Sequence, residues 1–550
     1  MTDVPAPDVP GVAPPRPRLT SDEVRRFAFR QGPGKAHLGE QHLVDDAAPT
    51  TSALPPRRAR SGTGRPLPLG TCDLLAATPY PQPCDRAAVA GLGPDARLGH
   101  LLVGALGLQR REPSHRYADH RAVPSGRAKF PVHAFAAQGP VLRYLDVHRH
   151  ALVDVRADGG TDVVDLVGAE DVSVLLAARY SDLPAAYGRM RFAVSEAELG
   201  VSLRSLCVTA DLLGIPARLA LDGPATARAE SAIRSAGPGT WSAPLTLRLG
   251  GLGRPAPSVP LPGPPGPEHD ERDPLLAGAA HDPSVRDAAA VSAQRHGLPA
   301  PDPAPDPAAS PAASPDRGPA ADLTDDPAAK PGPAHGLPAA AGAPAHRPDW
   351  ARVLWDRSAG RAADRRYGFS LRPAPLTDDC LTDLLAWAMQ PPPDRLLAEI
   401  AGRLRLTVAL HRVGGRADGL HRVEEDGLTL HRRQPRIMAV LQAGFAQPPS
   451  HNTDNGVRHA AMVWIHSIDV DALVDDLGPA ALGLLQLCLG WSVHGLCLGA
   501  AAHGLVARPA RSFVEYRVQP LLGLARQETP VFMTVCGTSR FTEPMLDLRT

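Results

Sequence analysis

LCVTADLLGIPAR (residues 206–218) and LCLGAAAHGLVAR (residues 496–508) are two versions of one stretch, separated by 290 residues from Leu206 to Leu496. Leu, Cys, Ala, Gly, Ala and Arg recur in step between them. Self-similarity at a fixed offset indicates a duplicated unit, and this offset is far longer than one solenoid repeat. The sequence therefore predicts two domain-sized copies of one fold, fused in a single chain.

The 550 residues divide by composition into four parts. Residues 1–70 are rich in Pro and polar residues, whereas residues 71–252 and 349–550 have the composition of globular domains. Residues 253–348 are dominated by Pro, Ala, Asp and Gly, and such a segment buries too little apolar surface to offset its ordering entropy. We expect it to be a disordered linker, so that deleting residues 260–340 leaves activity nearly unchanged.

Each predicted copy has a similar order of elements. LGHLLVGALGLQ (residues 98–109) and LTDDCLTDLLAWAMQ (residues 376–390) have the apolar period of a helix. FPVHAFAA (residues 130–137) and LRLTVALHRV (residues 404–413) alternate as strands do. Helices mixed with a few strands predict an α+β layer fold, present here as two tandem copies that form an intramolecular pseudo-dimer.

Charge and cysteine usage narrow the class of protein. Lys+Arg and Asp+Glu are both 58, so the net charge is zero and favours neither nucleic acid nor an anionic membrane as partner. The seven cysteines are odd in number and lack a CxxC, which is typical of reduced thiols in a cytoplasmic protein. Residues 479–507 carry no Asp, Glu, Lys or Arg, but their counterpart at 196–217 carries charges. We expect both segments to be buried helices, and we expect neither a signal peptide nor a metal site.

Two segments carry candidate ligand-binding residues. In RAVPSGRAKFP (residues 121–131), Pro124, Ser125 and Gly126 form a loop that can lay backbone N–H groups against a polar ligand. DRSAGRAADRRYG (residues 356–368) is rich in arginine and serine, which suit a phosphate. Each segment is also what an ordinary turn or a solvated basic surface looks like. The candidates in the second segment are Arg357, Ser358 and Arg361.

Two further segments follow the second long helix and the last strand. GLVARPARSF (residues 504–513) brings Arg508 and Arg511 close to Gly504. CGTSR (residues 536–540) ends in Arg540. Together the four segments place basic residues mainly in the second copy and the Pro-Ser-Gly loop in the first.

In this order the four segments resemble the FMN-dependent nitroreductase-like fold. The subgroup they are most similar to is the azoline dehydrogenases of thiazole- and oxazole-forming peptide pathways, including thiopeptide pathways. Members carry an Arg-Ser segment, a Pro-Ser-X-Gly-like loop that ends in Tyr-Pro, where this chain has Phe130-Pro131, and a Gly-Leu-X-Ala-X-Pro stretch after a long helix. Residues 504–509 match the last of these. The resemblance covers about residues 80–250 and 350–545.

The resemblance implies how the copies would share one site. In the family, one subunit supplies the Arg-Ser segment, the turn after the long helix and a C-terminal basic residue, and its partner supplies the Pro-Ser loop. Here the second copy has the first set and the first copy has the loop. YPQPCDRAAV (residues 80–89) stands where the first copy would carry its own Arg-Ser segment. We therefore expect one composite FMN site, with its reciprocal lost.

The proton-removing residue is less well defined, because the family uses a Lys-Tyr pair before the long helix. The matching position reads Ala186-Tyr187, so Tyr is present and Lys is absent. Tyr187 is the candidate catalytic base, although a tyrosine packed in the core would look the same. Lys129 and His133 are the alternatives.

The function this implies is oxidation of azoline rings to azoles in a ribosomally made peptide. The expected partners are the azoline-containing precursor peptide and a cyclodehydratase complex. Two alternatives stay open: a nitro, quinone or enone reductase of the same fold driven by NAD(P)H, and a non-catalytic scaffold subunit of a peptide-modifying complex. The incomplete Lys-Tyr pair favours the scaffold, whereas the complementary halves favour the enzyme.

Overall fold

The computed structural model describes most of both predicted copies. The described residues are 18–30, 62–113, 119–139, 141–155, 172–183, 187–188, 190–235, 240–253, 256–262, 282–298, 336–338, 348–361, 369–424, 427–445, 456–542 and 544–550. We call residues 18–298 the first half and residues 348–550 the second half.

The first half contributes helices and strands in mixed order, as the sequence predicts. Its helices are α1 (Ser21–Arg30), α2 (Thr71–Ala76), α3 (Arg86–Ala90), α4 (Pro94–Leu106), α5 (Met190–Leu212), α6 (Gly223–Ser235) and α7 (Pro283–Ser292). Its strands are β1 (Thr63–Pro66), β2 (Leu108–Arg111), β3 (Asp119–Arg121), β4 (Val132–Gln138), β5 (Val141–Asp146), β6 (Ala151–Asp154), β7 (Val172–Ala178), β8 (Ala217–Ala220), β9 (Leu245–Leu249) and β10 (Val259–Pro260).

The second half repeats this mixture. Its helices are α8 (Trp350–Asp356), α9 (Asp378–Met389), α10 (Arg395–Arg403), α11 (Ile437–Gly444), α12 (Val470–Leu477), α13 (Ala481–Ala502) and α14 (Glu515–Leu522). Its strands are β11 (Leu371–Arg372), β12 (Arg405–Leu410), β13 (Gly419–Glu424), β14 (Gly427–Arg433), β15 (Met462–Asp469), β16 (Val506–Ala510), β17 (Glu528–Ser539) and β18 (Leu546–Asp547). Helix α9 begins after its N-cap Thr377, whose side chain accepts a hydrogen bond from the Cys380 N–H.

Each half builds one antiparallel sheet against its long helix. The first sheet has eight strands in the order β10-β1-β6-β5-β4-β7-β9-β8. The second has seven, in the order β11-β17-β15-β12-β13-β14 with β16 also paired to β17. A third, small sheet has the order β18-β2-β3 and therefore joins the C-terminal strand of the second half to the first half. The two halves are thus tied together by backbone pairing as well as by their cores.

The long helices α5 and α13 cross at the centre of the molecule, at positions related by the offset of 290 residues. A Cβ on Gly200 would clash with the carbonyl oxygen of Leu487, and a Cβ on Gly490 would clash with that of Ala197. The two contacts are copies of each other, because 200 and 490, like 197 and 487, are equivalent positions. This reciprocity is the signature of a two-fold interface, so the duplicated halves pack as an intramolecular pseudo-dimer.

The apolar segment of the second half is buried, as expected. Residues Val470–Ala502 are long and apolar enough to cross a membrane, yet the qualifying window is entirely buried inside the protein. All seven cysteines are free thiols, and six of them are buried.

The expectation that residues 253–348 are disordered throughout is wrong for residues 282–298. Helix α7 begins at an Asp282 N-cap and buries Val285, Ala288 and Val291 against the core. Just after it, Arg295 is 1% exposed and pairs with Glu196 of α5. The compositional argument missed this because Pro and Ala dominate the average, while VRDAAAVSAQR has its own apolar face. The domain boundaries themselves stay a prediction.

Candidate functional site

The Arg-Ser segment of the second half begins where α8 ends and is held against β16. Arg357 is the C-cap of α8, and the Ser358 carbonyl oxygen accepts the Ala507 N–H at 3.0 Å. Gly504 ends α13 with φ +68, a left-handed conformation that glycine adopts without strain. The structure therefore brings together the two segments that the sequence analysis assigned to one side of a shared site.

The C-terminal segment joins them through the sheet. The Arg540 N–H donates to the Ser370 carbonyl oxygen at 3.0 Å, and the Ser370 N–H donates to the Arg361 carbonyl oxygen at 2.7 Å. The Arg540 side chain is exposed and lies 5.7 Å from the Phe541 ring centroid. Three of the four predicted segments thus lie side by side in the second half.

Arg357 reaches across the seam between the halves. Its Nη2 donates to the Arg121 carbonyl oxygen at 2.7 Å, three residues before Pro124. Arg357 is 3% exposed, and its Nε has no hydrogen-bond partner among the described residues. Burial lowers the pKa of Arg357 to about 10. The first and second halves therefore meet three residues before the Pro-Ser-Gly loop.

Other predicted ligands contact protein groups in this structure. Arg361 pairs through two nitrogens with Glu112, a fully buried carboxylate at the end of β2. Arg511 donates to Gln486 Oε1 at 3.3 Å. Arg508 stacks over the Phe369 ring at 4.8 Å, and the Ser358 hydroxyl accepts the Gly360 N–H at 3.2 Å.

Glu112 is the centre of a buried ion cluster that sequence reasoning missed. Arg110 Nε donates to it at 2.9 Å, and His120 lies 3.3 Å away. Burial alone would raise the pKa of Glu112, but His120 and Arg361 outweigh burial and lower it. Arg110 also donates to the Arg357 carbonyl oxygen. The only local signal in the sequence is the run of charged residues Arg110, Arg111 and Glu112 at the end of β2. Such runs are too common to identify a cluster.

The charges at the seam fit an anionic group. Four arginines are linked there by hydrogen bonds in the described residues, namely Arg110, Arg121, Arg357 and Arg361, and Glu112 is the one carboxylate in that chain. Buried cations need a counterion, because desolvation otherwise costs several kcal/mol for each charge. The orphaned Nε of Arg357 is a donor that such an anion would satisfy. The phosphate of an FMN would meet this requirement.

The Pro-Ser-Gly loop lies directly before β4 and is conformationally unusual. Arg127, Ala128 and Phe130 all have φ near +50, a region that non-glycine residues rarely occupy and that often marks functional sites. The Ser125 hydroxyl accepts the Phe130 N–H at 2.7 Å, and the Gly126 N–H donates to Glu198 Oε1 at 2.7 Å. Part of the loop's hydrogen-bonding capacity is therefore already used within the protein.

The two candidate bases lie at this loop. A Cβ on Gly126 would stand 3.2 Å from the Tyr187 hydroxyl, and the Arg127 guanidinium lies 5.4 Å from the Tyr187 ring centroid. Lys129 follows within the loop, where burial and then Arg127 lower its pKa. His133 is instead engaged on both ring nitrogens, with Tyr144 and with Asp182. The structure thus brings Tyr187 and Lys129 to the predicted site and gives His133 other partners.

Arg204 of α5 stands at the position equivalent to His494 of α13, and aromatic residues surround it. There the first-half segment after α2 reaches across to α9, where the Tyr80 hydroxyl donates to Asp383 Oδ2 at 2.8 Å. Tyr80 packs against Trp350 and Trp387 at 5.1 and 6.1 Å between ring centroids. Arg204 lies between the rings of Trp387 and Trp491, at 5.1 and 5.0 Å. Cation–π contacts thus compensate this buried charge in place of an anion.

Comparison with solved structures identifies the fold. The chain is similar to a protein from Anabaena variabilis assigned as a nitroreductase, with a TM-score of 0.57 and 15% identity over 95% of this chain and all of that one. One from Ralstonia eutropha matches 35% of this chain and 83% of its own, with a TM-score of 0.26 and 18% identity. The Escherichia coli microcin synthetase McbBCD complex with truncated pro-MccB17 bound matches 33% of this chain and 71% of its own, at 0.27 and 12%.

No protein-family model and no curated protein matches the sequence. The fold is therefore established through structure, and the match over 95% of this chain includes both halves. The chain has the nitroreductase-like α+β fold, in a tandem arrangement.

Proposed function

We propose that this chain binds one FMN at the seam between its halves and oxidises azoline rings in a ribosomally made peptide. One observation carries the proposal. Arg357 of the second half donates to the Arg121 carbonyl, at the start of the first half's Pro-Ser-Gly loop. This contact supports the proposal because it brings the two segments that we assign to one composite site close together within a single chain.

In this proposal, residues of the second half bind the phosphate of FMN and residues of the first half position its ring. Arg357 and Ser358 would hold the FMN phosphate, supported by Arg508 and Arg540 from the adjoining strands. The loop Pro124–Gly126, which precedes the strained residues Arg127 and Ala128, would set the ring position from the other half. Orienting a reactant in this way removes most of the entropic cost of bringing reacting groups together.

The reaction removes two hydrogens from the azoline ring, one as hydride and one as a proton. FMN supplies the hydride acceptor when bound. The protein supplies the proton acceptor, and Tyr187 is in position because its hydroxyl lies at Gly126. Lys129 is the second candidate, since burial and Arg127 favour its neutral form, which is the form that accepts a proton.

The stoichiometry follows from the asymmetry of the halves. We place the lost reciprocal site at the buried cluster of Tyr80, Trp350, Trp387 and Arg204. A second flavin would have to displace this buried cluster, so the proposal specifies one FMN per chain.

The first experiment is the flavin content of the purified full-length chain, by visible absorbance and by release on denaturation. We expect about one FMN per chain, bound by wild type and by the control Arg416→Ala, whose exposed ion pair with Asp378 is remote from the seam. Arg357→Ala should lose the flavin, and Arg357→Lys should bind it more weakly. Full occupancy in Arg357→Ala would refute the assignment.

The substrate is tested next, with a synthetic azoline-bearing peptide and mass spectrometry for loss of two hydrogens. Tyr187→Phe should slow this loss without releasing flavin. A flavin-loaded chain that leaves azolines unchanged but turns over with NAD(P)H and a nitro compound or quinone would contradict the azoline proposal and leave the flavin site standing.

A second candidate function is a non-catalytic scaffold within a peptide-modifying complex. Two observations favour it: Glu112 already neutralises Arg361, and Glu198 already occupies the Gly126 N–H. Absence of bound flavin after incubation with excess FMN would select this function.

A further inference from the structure

A small cavity lies beneath the Pro-Ser-Gly loop, on the first-half side of the seam. Its apolar walls come from α4, β4, β5 and the loop, including Leu106, Phe130 and Leu145. Its polar lining is confined to a few side chains, namely Arg121, His133, Tyr144, Glu198 and Ser202. Convergent polar groups on apolar walls are the usual composition of a ligand site.

Arg121 is the cation of this cavity. Its guanidinium lies 4.3 Å from the Phe130 ring centroid, and its buried Nε has no hydrogen-bond partner among the described residues. Asp119 and Asp146 interact with the Arg121 guanidinium electrostatically at a distance, and neither forms an ion pair with it in the described part of the chain. A positive charge facing a cavity without a paired carboxylate calls for an anion there.

Glu198 does not supply that anion. Its Oε1 accepts the Gly126 N–H at 2.7 Å, and the side chain is 8% exposed. Burial raises the pKa of Glu198 to about 8, although Gly126, Ser125 and Arg121 each lower it in part. At neutral pH the carboxyl is therefore mostly protonated, and it does not repel an anion bound to Arg121.

The opposite wall is fixed by a buried hydrogen-bonded chain. Asp182 Oδ2 lies 2.7 Å from His133 Nε2, and His133 Nδ1 lies 3.2 Å from the Tyr144 hydroxyl. Burial lowers the pKa of His133 to about 4, so the ring is neutral. With Nε2–H donating to Asp182, Nδ1 accepts the Tyr144 O–H. Tyr144 and His133 are thereby held in place without adding charge.

We propose that this cavity is a binding site for a small oxyanion, a carboxylate or a phosphate, with Arg121 as its anchor. The site does not depend on the proposed redox activity, because Arg121 and the other residues that line it are not among those we assign to flavin binding or proton transfer. Its place beside the loop lets it hold an anionic group of whatever ligand the loop contacts.

The test is calorimetric titration of the purified full-length chain with sodium acetate and with inorganic phosphate, at constant ionic strength. Wild type should bind acetate or phosphate, and the control variant Arg416→Met should bind the same anion with the wild-type Kd. Arg121→Met should bind it at least tenfold more weakly, and Arg121→Lys should fall between. No binding to wild type, or an unchanged Kd in Arg121→Met, would overturn the proposal.

Two further measurements make the result specific. Glu198→Gln should keep anion binding and abolish its weakening above about pH 8, where the wild-type carboxyl ionises beside Arg121. If Arg121→Met does not fold, Arg121→Lys and Glu198→Gln still test the proposal. If both variants bind the anion with the wild-type Kd at every pH, the site is contradicted.

The source of the oxyanion is read from a competition. If saturating acetate weakens FMN binding in proportion to its occupancy, the site takes the flavin phosphate. If FMN and acetate bind together, it takes an anionic group of the substrate. A chain that binds acetate through Arg121 but no flavin would refute the proposed function and leave this site intact.

Discussion

Arg295→Met tests whether residues 282–298 belong to the core or to a linker. Arg295 is 1% exposed and Glu196, its partner on α5, is fully buried. Arg295 also donates to the Ala243 carbonyl oxygen, so that it joins α7, α5 and the segment before β9. Methionine has similar length and no charge, so the substitution removes the ion pair while largely filling the space.

The magnitude follows from what is left behind. Without Arg295, Glu196 keeps two hydrogen bonds at 2.6 Å, from the Tyr180 and Ser292 hydroxyls, but loses its counterion. Breaking a buried pair by removing one partner costs about 3–5 kcal/mol. Because Gln486 stands at the equivalent position of α13, adding Glu196→Gln should recover most of this loss, since no unpaired charge then remains.

The assay is urea unfolding of the full chain, followed by tryptophan fluorescence and by hydrogen exchange of α5 amides. The control is Arg352→Met, which breaks an exposed pair with Asp356 and should cost no more than about 1 kcal/mol. If Arg295→Met costs no more than this control, residues 282–298 do not pack on α5 and the linker interpretation of the sequence is right.

Three other changes have definite expected outcomes. Gly490→Ala should destabilise the chain by at least ~1 kcal/mol, because the added Cβ would clash with the Ala197 carbonyl oxygen. In thermal unfolding, the control Gly402→Ala in α10 should stabilise the chain slightly, because a Cβ there contacts nothing. Between about pH 5 and 8, the unfolding free energy of wild type should fall by up to ~5 kcal/mol more than that of Glu198→Gln. The reason is that folding raises the pKa of the Glu198 carboxyl, so that its ionisation destabilises the fold; parallel pH profiles would contradict this. Replacing residues 303–332 by an equally long Gly-Ser sequence should leave the thermal midpoint unchanged, and a fall of several degrees would show that this segment packs on the fold.

The fold was predictable from local patterns because both the apolar periodicity of its elements and the duplication are visible in the sequence. Helices α4 and α9 and strands β4 and β12 follow directly from apolar spacing. The duplicated stretch at 206 and 496 identified the two long helices, whereas the reciprocal contact of Gly200 and Gly490 appears only in three dimensions. Helix α7 was missed, because its few apolar residues sit within a Pro-rich average.

The site was predictable only as a set of segments. Sequence order placed Arg357 in one half and Pro124 in the other, and folding brought them together. Glu112 and Glu198 were missed because nothing local marks them: their importance comes from contacts with Arg361, 249 residues away, and with Gly126, 72 residues away. Long-range charge pairing leaves no periodic signal in a single sequence.

Fusion explains how the two sides of the pseudo-dimer came to differ. In a symmetric homodimer every substitution appears at both sites, so neither site changes alone. Here Arg204 and His494 occupy equivalent positions of α5 and α13, 290 residues apart. Arg204 is held between two tryptophans, whereas burial and then Arg357 lower the pKa of His494 and keep it neutral. A neutral side chain at this position adds no second positive charge beside Arg357, and this difference between the two sides agrees with the single anionic cofactor that we propose.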